Sequence, residues 1–119
     1  MLKNSSLFII IAAMLVTLCL AGCTTAAPRA NLDAFAQCIA QKKLTMYGAA
    51  WCSHCKKEKA NFGTSFQYIP YVECPENTQV CLDRGVDGYP TWISDDGQKY
   101  EGEQGLAKLA QISGCVLPD

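Results

Sequence analysis

Eight cysteines in 119 residues constrain this chain more than any other feature of its sequence. The length allows one small domain, and so dense a set of thiols implies either disulfide staples or thiol chemistry. Two of the eight form the C-x-x-C of Trp51-Cys52-Ser53-His54-Cys55. Lasting disulfides need an oxidising compartment, so the N-terminus bears on what the cysteines can do.

Lys3, Asn4, Ser5 and Ser6 precede an apolar run from Leu7 to Leu20, shorter than the roughly 18 to 20 residues that span a bilayer comfortably. This pattern predicts a signal peptide over 1–22. It closes on Leu20-Ala21-Gly22-Cys23, which resembles the lipobox of prokaryotic lipoproteins. That resemblance implies cleavage before Cys23 and lipid on its thiol. An uncleaved anchor helix, or a cut after Ala26 or Ala27, is the other reading. Each places the domain outside the cytoplasm, on the cell surface or the periplasmic face, and the lipid reading anchors it to a membrane. With Cys19 lost and Cys23 acylated, Cys38, Cys52, Cys55, Cys74, Cys81 and Cys115 remain, an even set suited to three pairs.

Residues 23–30 are small, polar and Pro-containing, as in a short tether, and the domain is expected over 31–119. Leu32, Phe35, Ala36, Ile39 and Ala40 recur at helical spacing, with Asn31 as N-cap, predicting a helix to about Lys43. A strand over Leu44 to Tyr47 and a turn at Gly48-Ala49-Ala50 lead into a helix from Cys52 to Phe62, ended by Gly63. Tyr68 to Cys74 reads as a strand interrupted by Pro70, and Asn77 to Arg84 as a brief helix. Thr91 to Ser94 and the residues around Lys99-Tyr100-Glu101 form a hairpin about Asp95-Asp96-Gly97. Leu106, Leu109, Ala110 and Ile112 mark a last helix, stopped by Gly114. The order α-β-α-β-α-β-β-α predicts an α/β domain with a central mixed sheet flanked by helices.

Disulfide exchange needs one reachable thiolate and a second sulfur close enough to release the mixed disulfide. A C-x-x-C at a helix start supplies both. Free N–H groups and the helix dipole there favour negative charge on Cys52, the expected nucleophile, with Cys55 as the resolving thiol. His54, the one histidine, can bring positive charge to the thiolate, tune its acidity and make the disulfide a stronger oxidant. An exposed polar role is the plainer reading of that histidine. Gly88-Tyr89-Pro90-Thr91 sets a proline before an apolar strand, where an ordinary trans proline would also fit.

Met46 to Cys55, Phe62-Gly63, Tyr71-Val72-Glu73-Cys74 and Gly88-Tyr89-Pro90-Thr91-Trp92 together resemble the thioredoxin-like domain fused to vitamin K epoxide reductase homologues in photosynthetic prokaryotes and plants. The likeness covers about Leu32 to Gly114. It implies a thioredoxin-like fold, C-x-x-C at a helix N-terminus and a cis-Pro loop opposite. Pro90 takes the cis-Pro position, with Tyr89 before it offering its backbone to an extended client and Trp51 beside the redox pair. It also implies client protein thiols as substrates and a quinone-linked membrane oxidase as electron acceptor, with no cofactor beyond the Cys52/Cys55 disulfide. The 119 residues hold no multi-span membrane domain, so that acceptor is expected to be a separate protein, or the transfer not to occur. A lipid anchor would raise its effective concentration. The resemblance pairs Cys74 with Cys81, as a staple worth about 2.5 kcal/mol or as a second redox relay. Cys38 and Cys115 are then left as a third pair, one of the connectivities that six cysteines allow.

Where thioredoxins often bury an acid, six residues before the first cysteine, this chain has Met46, and Glu58 is a weak substitute. A reductase or an isomerase is therefore the alternative to an oxidant. Readings of another class are a disulfide-stapled binding lipoprotein and a zinc or copper module. For the metal, no second C-x-x-C or paired histidine completes a shell. A net charge of -1 with scattered basic residues gives no nucleic-acid surface, and a monomer is expected.

Overall fold

The computed structural model describes residues 30–119; the expected signal peptide, the expected lipidation at Cys23 and the expected tether up to residue 29 lie outside the described residues. Helix α1, Asp33–Gln41, is followed by strand β1, Thr45–Gly48, and helix α2, Ser53–Phe62. A 3-10 helix over Gly63–Tyr68 leads to strand β2, Tyr71–Glu73, and helix α3, Thr78–Asp83. Strands β3, Thr91–Ile93, and β4, Lys99–Glu101, precede helix α4, Gly105–Ser113.

The four strands form one mixed sheet in the order β2-β1-β3-β4. β1 runs parallel to β2 and antiparallel to β3, which pairs antiparallel with β4. Because side chains alternate across a strand, Met46 and its partner Trp92 face one side while Tyr47 and Ile93 face the other. The first side carries the larger core: Phe35 and Ile39 of α1, Cys55 and Phe62 of α2, and Leu109 of α4 close over Met46 and Trp92. Each large apolar side chain buried there contributes roughly 1.5–3 kcal/mol. The second side is thinner, with Tyr47, Ile93, Cys74 and Cys81 as its buried cluster. Cys74 and Cys81 are joined by a disulfide and supply half of that cluster.

Local departures from the expected elements have simple causes. Leu32 is the residue flanking α1, and Asn31 sits one position earlier, its Oδ1 accepting the Asp33 N–H at 2.8 Å. The helix ends at Gln41 because Lys43 turns to a positive φ of 55°. Residues 63–68 wind as a 3-10 helix, which leaves Tyr68 and Pro70 outside β2. Pro70, lacking an N–H, still offers its carbonyl to Met46 at 2.9 Å. Gly48 belongs to β1, and the turn begins after it. Among the described residues no helix is long and apolar enough to cross a membrane.

Candidate active site

Cys52 occupies the N-cap of α2, with extended backbone dihedrals. Its Sγ accepts the Cys55 N–H at 3.3 Å, the bond that an N-cap side chain ordinarily makes. The sulfur thus sits at the helix start, beside N–H groups that have no partner within the helix. Cys55, one turn along, is fully buried beneath it, and both thiols are free. Burial, followed by the hydrogen bond to Cys52, pushes the Cys55 thiol up to about 12, against the opposing pull of the Lys59 charge.

The loop before β3 closes over the pair. The Tyr89-Pro90 peptide bond is cis, and the Tyr89 carbonyl lies 3.6 Å from the Cys52 Sγ, which donates to it. Trp51 stands 69% exposed beside the motif, its indole edge-on to the Tyr89 ring with centroids 6.0 Å apart.

His54 points outward. Its Nδ1 lies 3.3 Å from Glu103 Oε2, and Lys57 Nζ is 3.2 Å from Glu103 Oε1. The hydrogen bond from Lys57, with His54 helping, holds the Glu103 carboxyl below the usual range. Glu103 had no place in the sequence reading; it lies just beyond β4, and nothing local marks it as a partner of the motif.

Two other acids surround the pair. Glu58 follows Cys55 by three residues and precedes Phe62 by four, so all three lie on the buried stripe of α2. Its carboxylate accepts the backbone N–H groups of Gln104 at 2.6 Å and Gly105 at 2.9 Å, capping α4 from another helix. Burial raises its pKa, and the two N–H bonds oppose the rise. The Trp92 indole N–H is near enough to favour the ionised form but falls outside hydrogen-bond geometry, and it is the buried side-chain polar atom left without a partner among the described residues. Glu73, on β2, accepts the Ala50 N–H at 2.7 Å with Oε1 and the Tyr71 hydroxyl with Oε2. The Tyr71 bond, with smaller help from Ala50 and Lys59, holds Glu73 below the usual carboxylate range. Glu73 and Tyr71 entered the sequence reading only as part of a motif; their spacing of two on a strand paired with β1 is the signal that places them together.

The remaining described cysteines are held in disulfides. Cys38 is bonded to Cys115, tying α1 to the segment after α4, and Cys74 to Cys81, tying β2 to α3. No group of three or more His, Cys, Asp or Glu side chains among the described residues is placed to hold a metal ion.

This arrangement agrees with a family-wide pattern, since the sequence model described as Thioredoxin matches residues 26–116. The chain belongs to the thioredoxin family. Its relatives include "Thiol-disulfide oxidoreductase LTO1" of Arabidopsis thaliana, 41% identical over 81 residues that cover 60% of this chain and 21% of that protein. "Protein disulfide isomerase-like 2-2" of Oryza sativa subsp. japonica is 40% identical over 82 residues, covering 58% and 22%. "Thioredoxin domain-containing protein 5 homolog" of Drosophila melanogaster is 37% identical over 93 residues, covering 65% and 22%. The chain thus spans about a fifth of the length of these relatives. The helix-start cysteines and the cis-Pro loop are the parts of this thioredoxin domain that meet at one surface.

Proposed function

We propose that the chain is a thiol-disulfide oxidoreductase that oxidises the thiols of extracytoplasmic client proteins through Cys52 and Cys55. A client thiolate attacks Cys52 Sγ of the Cys52–Cys55 disulfide, and Cys55 leaves as a thiolate. A second client thiolate then attacks the client sulfur of the mixed disulfide and expels Cys52. The client gains one disulfide, and the chain is left with two reduced cysteines. Two electrons and two protons must then pass to an acceptor, proposed to be a quinone-linked membrane oxidase of the vitamin K epoxide reductase type. Lipid on Cys23 would hold the domain beside that oxidase. The single observation that carries the reading is Cys52 Sγ at the N-cap of α2, taking the Cys55 N–H while facing the Tyr89 carbonyl. Hydrogen bonds that hold the reduced Cys52 sulfur stabilise the reduced pair, which makes the disulfide the better oxidant.

The isomerase names of several relatives favour a second reading, in which the reduced Cys52 attacks wrong client disulfides and lets them rearrange. One experiment separates the two. Cys55→Ala removes the resolving thiol, so when Cys52 attacks a client disulfide and expels one client thiolate, the mixed disulfide is expected to accumulate and be recoverable on a non-reducing gel. Trapping of clients through the cysteines of their native disulfides supports the oxidant, because that attack is the reverse of its last step; trapping only through non-native disulfides supports the isomerase. No trapped client at all contradicts both.

A further inference from the structure

Cys55 has to lose its proton to resolve a mixed disulfide and regain one when it leaves the Cys52–Cys55 bond, yet its side chain has no solvent access. β1 offers no acid on that side, because position 46 is a buried methionine. Glu58, the buried acid on the same helix, is committed to the N–H groups of α4. The neighbouring strand supplies what β1 lacks. In the parallel pairing Met46 stands beside Tyr71 and Gly48 beside Glu73, and residues two apart share a face. Tyr71 and Glu73 therefore lie on the side of the sheet that Cys55 covers.

Gly48 bounds the spacing. A Cβ built there would fall 2.9 Å from Cys55 Sγ and 3.4 Å from the Tyr71 hydroxyl, so the sulfur and the phenol oxygen face one small gap that exists because residue 48 has no side chain. The Tyr71 hydroxyl donates to Glu73 Oε2, which leaves its own oxygen free to accept. Glu73 is only partly buried and reaches solvent. Lys59 Nζ sits 3.7 Å from the Tyr71 ring centroid and supplies the cation of the group.

We infer that Tyr71 and Glu73 form the proton path between Cys55 and solvent, a deepening that rests on the thiol-disulfide reading of the site. During resolution the Cys55 thiol gives its proton to the Tyr71 oxygen as Tyr71 passes its own to Glu73. The Cys55 sulfur bonds to Cys52 Sγ, the bond from Cys52 to the client sulfur breaks, and the client leaves as a thiolate carrying the electron pair. Glu73 releases the proton to water. When Cys55 is instead the leaving thiolate, the same path runs inward. The titratable and charged groups facing Cys55 are Cys52 and Lys59 from α2 and Tyr71 and Glu73 from β2; Met46 and Gly48 of β1 and Ala49 bring none. Glu73, held below the usual carboxylate range, is ionised at neutral pH and so accepts the Tyr71 hydroxyl.

The test uses the reduced protein and 5,5′-dithiobis(2-nitrobenzoate), which gives two coloured releases: one when Cys52 attacks the probe, one when Cys55 resolves the product. Tyr71→Phe removes the bridging hydroxyl. Glu73→Gln removes the carboxylate while its amide oxygen can still take the Ala50 N–H. Both variants are expected to keep the first release within about twofold and to slow the second by roughly a hundredfold at neutral pH, the low end of general acid–base effects. The deficit should narrow as pH rises and hydroxide takes the Cys55 proton directly. A second release unchanged in either variant, or slowed equally at every pH as a displaced Cys55 would be, overturns the path. Loss of the first release from the unmodified chain would instead overturn the thiol-disulfide reading itself.

Discussion

At the residue scale the informative side chains are acids whose surroundings move them in opposite directions. Burial raises Glu58 in the folded chain above its ordinary 4.5. The folded state then binds that proton more tightly than the unfolded state. The contribution of Glu58 to stability is full below 4.5 and is lost as pH rises through the higher folded value. Glu58→Gln carries no charge at any pH and keeps one oxygen for the Gln104 and Gly105 N–H groups. Urea unfolding from about pH 4 to about pH 8 should show the stability of the variant rising relative to the parent as pH increases. Parallel curves would contradict the assignment. Glu73 has the reverse sign: it is depressed, so its contribution is present above 4.5 and fades as pH falls through its folded value. Only part of this was readable, since the sequence marked Glu58 as no more than a weak substitute for the missing acid. The i, i+3, i+7 spacing of Cys55, Glu58 and Phe62 puts an acid on a buried stripe, although the helix ending it caps lies 46 residues away. Glu103 was not readable, because its pairing with His54 and Lys57 depends on how the loop after β4 returns to α2.

At the scale of elements, hydrophobic spacing and the Gly and Pro positions located the order of helices and strands, and the structure moved mainly their ends. Those ends were set by interactions that spacing does not encode. α1 stops where Lys43 adopts a positive φ, and β2 is shortened because the segment before it winds into a 3-10 helix. The role of Gly48 changed in kind. Read alone it suited a turn; in the sheet it is a strand residue whose missing Cβ admits the Cys55 sulfur and the Tyr71 ring. The α2 start was legible for a physical reason: a polar, Lys-rich segment after a small-residue turn leaves its first N–H groups free, and Cys52 is the side chain at that place.

At the scale of the molecule two staples have unequal leverage. Cys38 and Cys115 are 77 residues apart in sequence, and Cys74 and Cys81 are 7 apart. Chain entropy assigns about 4.5 kcal/mol to the first and about 2.5 kcal/mol to the second. Cys38→Ala with Cys115→Ala should therefore lower urea stability more than Cys74→Ala with Cys81→Ala; the opposite order would show that the small cluster of Tyr47 and Ile93 leans on its disulfide more than loop length implies. With those four cysteines paired, Cys52 and Cys55 are the free cysteines among the described residues, and the proposed exchange runs through them. The most direct test is the reduction potential of that couple, obtained by equilibrating the whole chain in glutathione buffers and counting free Cys52 and Cys55 thiols. The expected result is a reversible two-electron transition nearer the DsbA value of about -120 mV than the thioredoxin value of about -270 mV. A potential at or below the thioredoxin value would contradict the oxidant, and failure of Cys52 and Cys55 to form a disulfide at all would contradict thiol-disulfide exchange.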